Sequence, residues 1–175
     1  MREWEQYAEP DDTGIPQLMS HPLKGTAMTE QIRTHCLPIE EKATVLDRLS
    51  KVLESRSEIL FAYAHGSFLD DEPFRDLDVA VYLEPASLPP SRFHYEDGLA
   101  QEVLSQLSLT FPLDVRILND TSIAFQYRVL RGRLLLDCDP DARLGRLAHT
   151  VARYLDLKPI LEHHTREAFG DDPRP

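Results

Sequence analysis

Two aspartates one residue apart, Asp76 and Asp78, open a segment in which Leu77, Val79 and Val81 alternate with Asp76, Asp78 and Ala80. Period-two alternation is the signature of a strand with one buried face. The odd positions then enter the core and the two carboxylates leave together from the other face. Same-face neighbours on a strand stand about 7 Å apart at Cα, close enough for two carboxylates to converge on one or two divalent ions. Aspartate is depleted in strands, so a pair at a strand start calls for a reason. Shortly upstream stands Gly66-Ser67. Glycine lets the backbone turn sharply and approach a ligand. A helical turn after it would aim N–H groups and the Ser67 hydroxyl at an anion, most naturally a phosphate. A phosphate cradle beside metal-binding carboxylates is minimal equipment for phosphoryl or nucleotidyl transfer.

These residues need a scaffold. Ile59 to Tyr63 is apolar and bounded by His65-Gly66-Ser67, which reads as strand and turn leading into the aspartate strand. Before it, Pro38 suits the start of a helix whose apolar stripe is Val45, Leu46, Leu49, Val52 and Leu53, ending near Ser57. After it, Pro85, Pro89 and Pro90 break the chain, Ser91 caps a helix that carries Leu99, Val103, Leu104 and Leu107, and Pro112 stops it. Leu113 to Leu118 alternates as a third strand, with Asp114 and Arg116 on the face away from Leu113, Val115 and Ile117. Asp114 is a third carboxylate if this strand lies beside Asp76-x-Asp78, and part of a solvated face if it does not. Asn119-Asp120-Thr121 offers caps for a helix reaching Leu130, Arg133 to Asp137 is a short strand, and Asp139-Pro140 starts a last helical region. There Leu144, Leu147, Val151 and Tyr154 share a face, and Pro159 is expected to end that helix and leave a second one from about Lys158 to Phe169.

The chain has 175 residues and a formal net charge of −11, which argues against a nucleic-acid-binding surface. Cys36 and Cys138 lack metal-ligand spacing, and reduced thiols are expected. No apolar run approaches a membrane span and no signal peptide opens the chain, so a cytoplasmic protein is expected. Residues 1–36 carry Pro10, Pro16 and Pro22 without periodicity and read as a flexible extension. Residues 37–169 form one domain, and 170–175 a tail.

Gly66-Ser67, then Asp76-x-Asp78, then Val79-Ala80-Val81, with an acidic residue on a later strand, resembles the minimal nucleotidyltransferase (MNT) domain of the polymerase-beta-like superfamily. The resemblance spans about Leu37 to Phe169 and is tightest between Ile59 and Leu83. It implies an α/β fold: a small mixed sheet flanked by helices, with C-terminal helices. It implies Mg²⁺ held by Asp76, Asp78 and Asp114, and ATP gripped through its β- and γ-phosphates by Gly66 and Ser67. It further implies the antitoxin of a HEPN toxin–antitoxin pair, moving AMP onto a tyrosine of a helical HEPN partner. Two other readings stay open: a small-molecule nucleotidyltransferase of the aminoglycoside-modifying kind, and an antitoxin that acts by binding alone. The sequence departs from the family after Ser67. The spacer Phe68–Arg75 is short, and Asp70-Asp71-Glu72 stands where the family commonly carries an arginine. Arg75 either returns positive charge to the site or sits exposed. His65 is expected as a packed strand-end histidine, Tyr127 and Tyr154 as packing residues, and His163-His164 as solvated helix positions.

Overall fold

The computed structural model describes residues 33–70 and 73–169, with 161–169 described by backbone only. Residues 1–32, Asp71, Glu72 and the expected tail lie outside the described residues, as do the side chains of His163 and His164. Helix α1 (Ile39–Glu54) leads into β1 (Ile59–His65), a 3-10 turn (Ser67–Leu69) and β2 (Leu77–Leu83). Helix α2 (Arg92–Leu107), β3 (Leu113–Ile117), α3 (Ile123–Val129), β4 (Arg133–Asp137) and α4 (Pro140–Phe169) follow. The four strands form one mixed sheet in the order β3-β2-β1-β4. β1 is antiparallel to β2 and to β4, and β2 is parallel to β3, the crossover being made by α2.

The alternation of β2 divides the molecule. Leu77, Val79, Val81 and Leu83 face a core built with Leu46, Leu49 and Leu53 of α1 and Leu99 and Val103 of α2. Ala80 faces a smaller cluster with Phe61, Tyr63, Val129 and Leu130, against which Phe125 and Leu147 pack. Helices α1 and α2 thus cover one face of the sheet, and α3 and α4 the other. Asp78 shares its parity with Ala80 and lies on the α3 side.

Helix ends follow local chemistry. Ser91 caps α2 by accepting from His94 N–H, and Ser108 closes it in the left-handed conformation. The cap of α3 differs from the expected Asn119-Asp120-Thr121. Ser122 performs it, accepting from Phe125 N–H. Asn119 is instead buried, and its amide bridges the end of β2, donating to Leu83 O at 2.8 Å and accepting from Leu83 N at 2.9 Å. A side-chain amide reproduces a peptide's donor and acceptor, so it can continue a ladder where the strand has ended.

Helix α4 departs from expectation twice. Pro159 does not end it, and the assignment runs unbroken to Phe169. Proline deletes one N–H and frees the carbonyl four residues back. That residue is Leu155, 58% exposed, so water can satisfy the freed group. Leu144 is also exposed. The side of α4 that docks combines apolar Leu147 with polar contacts: Arg143 pairs with Asp137, Arg146 donates to Asn119 O and the Tyr82 hydroxyl, and Thr150 donates to Gln126. Tyr154 stacks flat on Tyr127 with ring centres 3.9 Å apart, the packing role expected for both.

Candidate active site

The site grows from the end of β1. Gly66 has φ +79°, a conformation that side chains other than glycine's rarely adopt. A Cβ at this position would run into Asp78 Oδ2. Glycine is therefore required twice, for the turn and for the close approach to a carboxylate. The chain then makes one 3-10 turn, closed by Leu69 N–H to Gly66 O at 3.2 Å and Asp70 N–H to Ser67 O at 3.1 Å. Ser67 is half-buried within it.

The sheet register brings the carboxylates together. Asp78 pairs with His65 of β1 on one side and with Asp114 of β3 on the other. Residues opposite one another in adjacent strands share a face, so His65, Asp78 and Asp114 form a row across three strands. Asp76 stands just before β2. Asp78 is half-buried, and its carboxyl is pushed up to about 6, first by burial and then by the charges of Asp76 and Asp114. Arg75 and Arg116 oppose that rise. Arg75 is thus both exposed and electrostatically felt. Arg116 Nε donates to Asp114 Oδ2 at 3.1 Å, and this bond is the chief reason the guanidinium is held above its ordinary value. Among the described residues no group of three or more His, Cys, Asp or Glu is arranged to hold a metal ion. The row supplies hard oxygen donors in adjoining positions, and Asp114 is engaged by Arg116.

His65 is 8% exposed, meets the ring of Phe125 edge-on at 5.5 Å, and its Nε2 has no hydrogen-bond partner. Burial, then the charge of Arg128, lowers its pKa, against a smaller opposing effect of Asp114. It is the packed strand-end histidine expected from the sequence.

One residue of this region escaped the sequence reading. Lys42 is 6% exposed, and its Nζ donates to Asp70 O at 2.6 Å. The signal was present: Lys42 precedes Val45 and Leu46 by three and four positions, which puts a lysine on the apolar stripe of α1.

Residues 47–141, more than half of the chain, match the family described as "Polymerase beta, Nucleotidyltransferase". The chain belongs to this family. The matched span contains Gly66, Ser67, Asp76, Asp78 and Asp114 and leaves Lys42 outside. No curated protein matches the chain in sequence. Among solved structures, this nucleotidyltransferase is similar to a chain of the toxin–antitoxin MntA-HepT, with TM-score 0.55 and 16% identity over 72% of this chain and 97% of that one. It is also similar to a chain of the Shewanella oneidensis complex of a tri-AMPylated HEPN toxin with an MNT antitoxin, with TM-score 0.55 and 19% identity over 73% and 98%. A toxin–antitoxin with AMP-PNP gives TM-score 0.53 and 18% identity over 75% and 98%. The expected mixed α/β nucleotidyltransferase fold is the one observed. Among the described residues no helix is long and apolar enough to cross a membrane.

Proposed function

We propose that this nucleotidyltransferase moves AMP from ATP to a tyrosine hydroxyl of a HEPN toxin, as the cytoplasmic antitoxin of a toxin–antitoxin pair. The observation that carries the reading is the register Asp78–Asp114 beside the Gly66 turn. The solved complexes supply the partner class: one of them joins an MNT antitoxin to a tri-AMPylated HEPN toxin, and another carries AMP-PNP.

Asp76, Asp78 and Asp114 would hold Mg²⁺. The donor chemistry fits, since Mg²⁺ prefers oxygen ligands and the Asp78 carboxyl, pushed up by burial and by the charges of Asp76 and Asp114, gains from a cation. When bound, Mg²⁺ supplies charge neutralisation at the triphosphate and at the leaving group. Gly66 and the Ser67 turn hold the β- and γ-phosphates. Asp114 orients the acceptor hydroxyl. The acceptor oxygen bonds to the α-phosphorus, the bond from that phosphorus to the bridging oxygen breaks, pyrophosphate carries away the electron pair, and the hydroxyl proton leaves to a base or solvent.

A second reading, neutralisation by contact alone, is favoured by Arg116 engaging Asp114 and by the acidic sequence after Ser67. One experiment separates the two. The wild type and the Asp76→Asn/Asp78→Asn variant are each incubated with a helical HEPN protein from the adjacent gene, the partner this reading requires, and Mg·ATP, and the intact mass of that protein is measured. An AMP-sized gain with the wild type alone supports the transferase. A complex and neutralisation with both proteins and no mass gain supports contact alone. No complex and no modification refutes both.

A further inference from the structure

We propose that Lys42 is a positioning residue for the phosphate turn, pinning Phe68, Asp70 and Phe74, which stand between Ser67 and Asp76 in sequence, to α1. The proposal takes the site from the reading above; its first test does not depend on that reading. Lys42 sits in the first turn of α1 and is almost fully buried, and a buried donor calls for a partner. Among the described residues no carboxylate pairs with it. It is held by three features of one segment: the Asp70 carbonyl at 2.6 Å, the Phe68 ring at 5.6 Å and the Phe74 ring at 5.2 Å. Phe68 follows Ser67 directly and Phe74 stands two residues before Asp76, so one ammonium ties both limbs of the segment to α1.

The rings are themselves anchored. Phe68 and Phe74 are fully buried, meet edge-on at 4.8 Å, and both pack on Phe111. An apolar side chain would fill this place at less desolvation cost, yet only a donor can hold the Asp70 carbonyl. The feature that a lysine adds here is thus a fixed end for the 3-10 turn that begins at Ser67. Among the described residues that turn is otherwise closed by the 3.2 and 3.1 Å bonds from Leu69 and Asp70 N–H.

The test is amide hydrogen exchange on the full-length, ligand-free wild type, Lys42→Met and Lys42→Arg. Lys42→Met keeps the apolar stem and deletes the charge and the donor. Exchange at Leu69 and Asp70 should accelerate about tenfold in Lys42→Met, with β1 and β2 amides unchanged and Lys42→Arg nearer the wild type. A matching loss is expected in affinity for Mg·AMP-PNP, and in transfer assays the KM for ATP should rise with kcat little changed. Unchanged exchange at Leu69 and Asp70, or acceleration spread equally over β1 and β2, overturns the proposal. A wild type that moves no AMP would refute the transferase reading and leave the exchange result to decide the role of Lys42.

Discussion

Replacing Asp78 with asparagine should stabilise the ligand-free protein at neutral pH while removing one of the proposed metal ligands. The unfolded carboxyl titrates near 3.8, and the folded one near 6. Between these values the folded state binds more protons than the unfolded state, so stability falls as pH rises through the window. The cost is absent below pH 3.8 and complete above about pH 6. A rise of about two units corresponds to ~3 kcal/mol in full. Asp78 is only half-buried and water screens its neighbours' charges, so about 1–1.5 kcal/mol is the magnitude to expect. Urea unfolding of the wild type and Asp78→Asn, in chelator at pH 7.5 and again at the acid end of the window, measures the difference. The variant should be the more stable protein at pH 7.5, and the gap should close on acidification. A variant less stable than the wild type at pH 7.5, or a gap independent of pH, would refute the claim that burial and the charges of Asp76 and Asp114 dominate this carboxyl.

Three further outcomes follow from the geometry. Gly66→Ala forces a Cβ into a positive-φ position and against Asp78 Oδ2, and should cost about 1–3 kcal/mol in urea unfolding; an unchanged midpoint would mean the turn relaxes freely. Asn119→Ala strands the N–H and C=O of Leu83 and should cost about 2–4 kcal/mol, read as a lowered unfolding midpoint. Ser67→Ala should weaken Mg·AMP-PNP binding by about 1.5–3 kcal/mol with stability little changed, as titration calorimetry would show; equal affinity would reduce Gly66-Ser67 to a turn.

The placement of the candidate site residues on strands and turn was legible because it is local. Alternation around Asp78 and Asp114 placed each on a strand facing away from the core, and Gly66-Ser67 announced the turn between strands. Their adjacency was not local. It depends on β3 returning parallel to β2 after α2, so that Asp78 and Asp114 fall in register, and no pattern within either strand encodes its neighbour. The resemblance supplied that pairing. The same limit explains Asn119. A cap signal reads only the next few residues, and the side chain went instead to Leu83, 36 positions earlier, where an unpaired strand end needed both a donor and an acceptor.

The last half of α4 shows the opposite failure, a local rule applied where context removes its force. Proline strains helices because the missing hydrogen bond leaves a carbonyl unsatisfied and because its ring presses on the carbonyl four residues back. Around Pro159 both are eased: Leu155, Leu157 and Ile160 are all exposed, so water reaches the freed carbonyl and the axis can adjust without displacing packed neighbours. The expected apolar face holds at Leu147, Val151 and Tyr154, while Leu144 is exposed. A stripe drawn from Leu144 to Tyr154 assumes that α4 docks by hydrophobic burial alone. The helix docks also through Arg143, Arg146 and Thr150, whose partners Asp137, Asn119, Tyr82 and Gln126 come from elements a single helix cannot reveal. Polar docking of this kind depends on pairing rather than on periodicity, so it is invisible until the partners are in place.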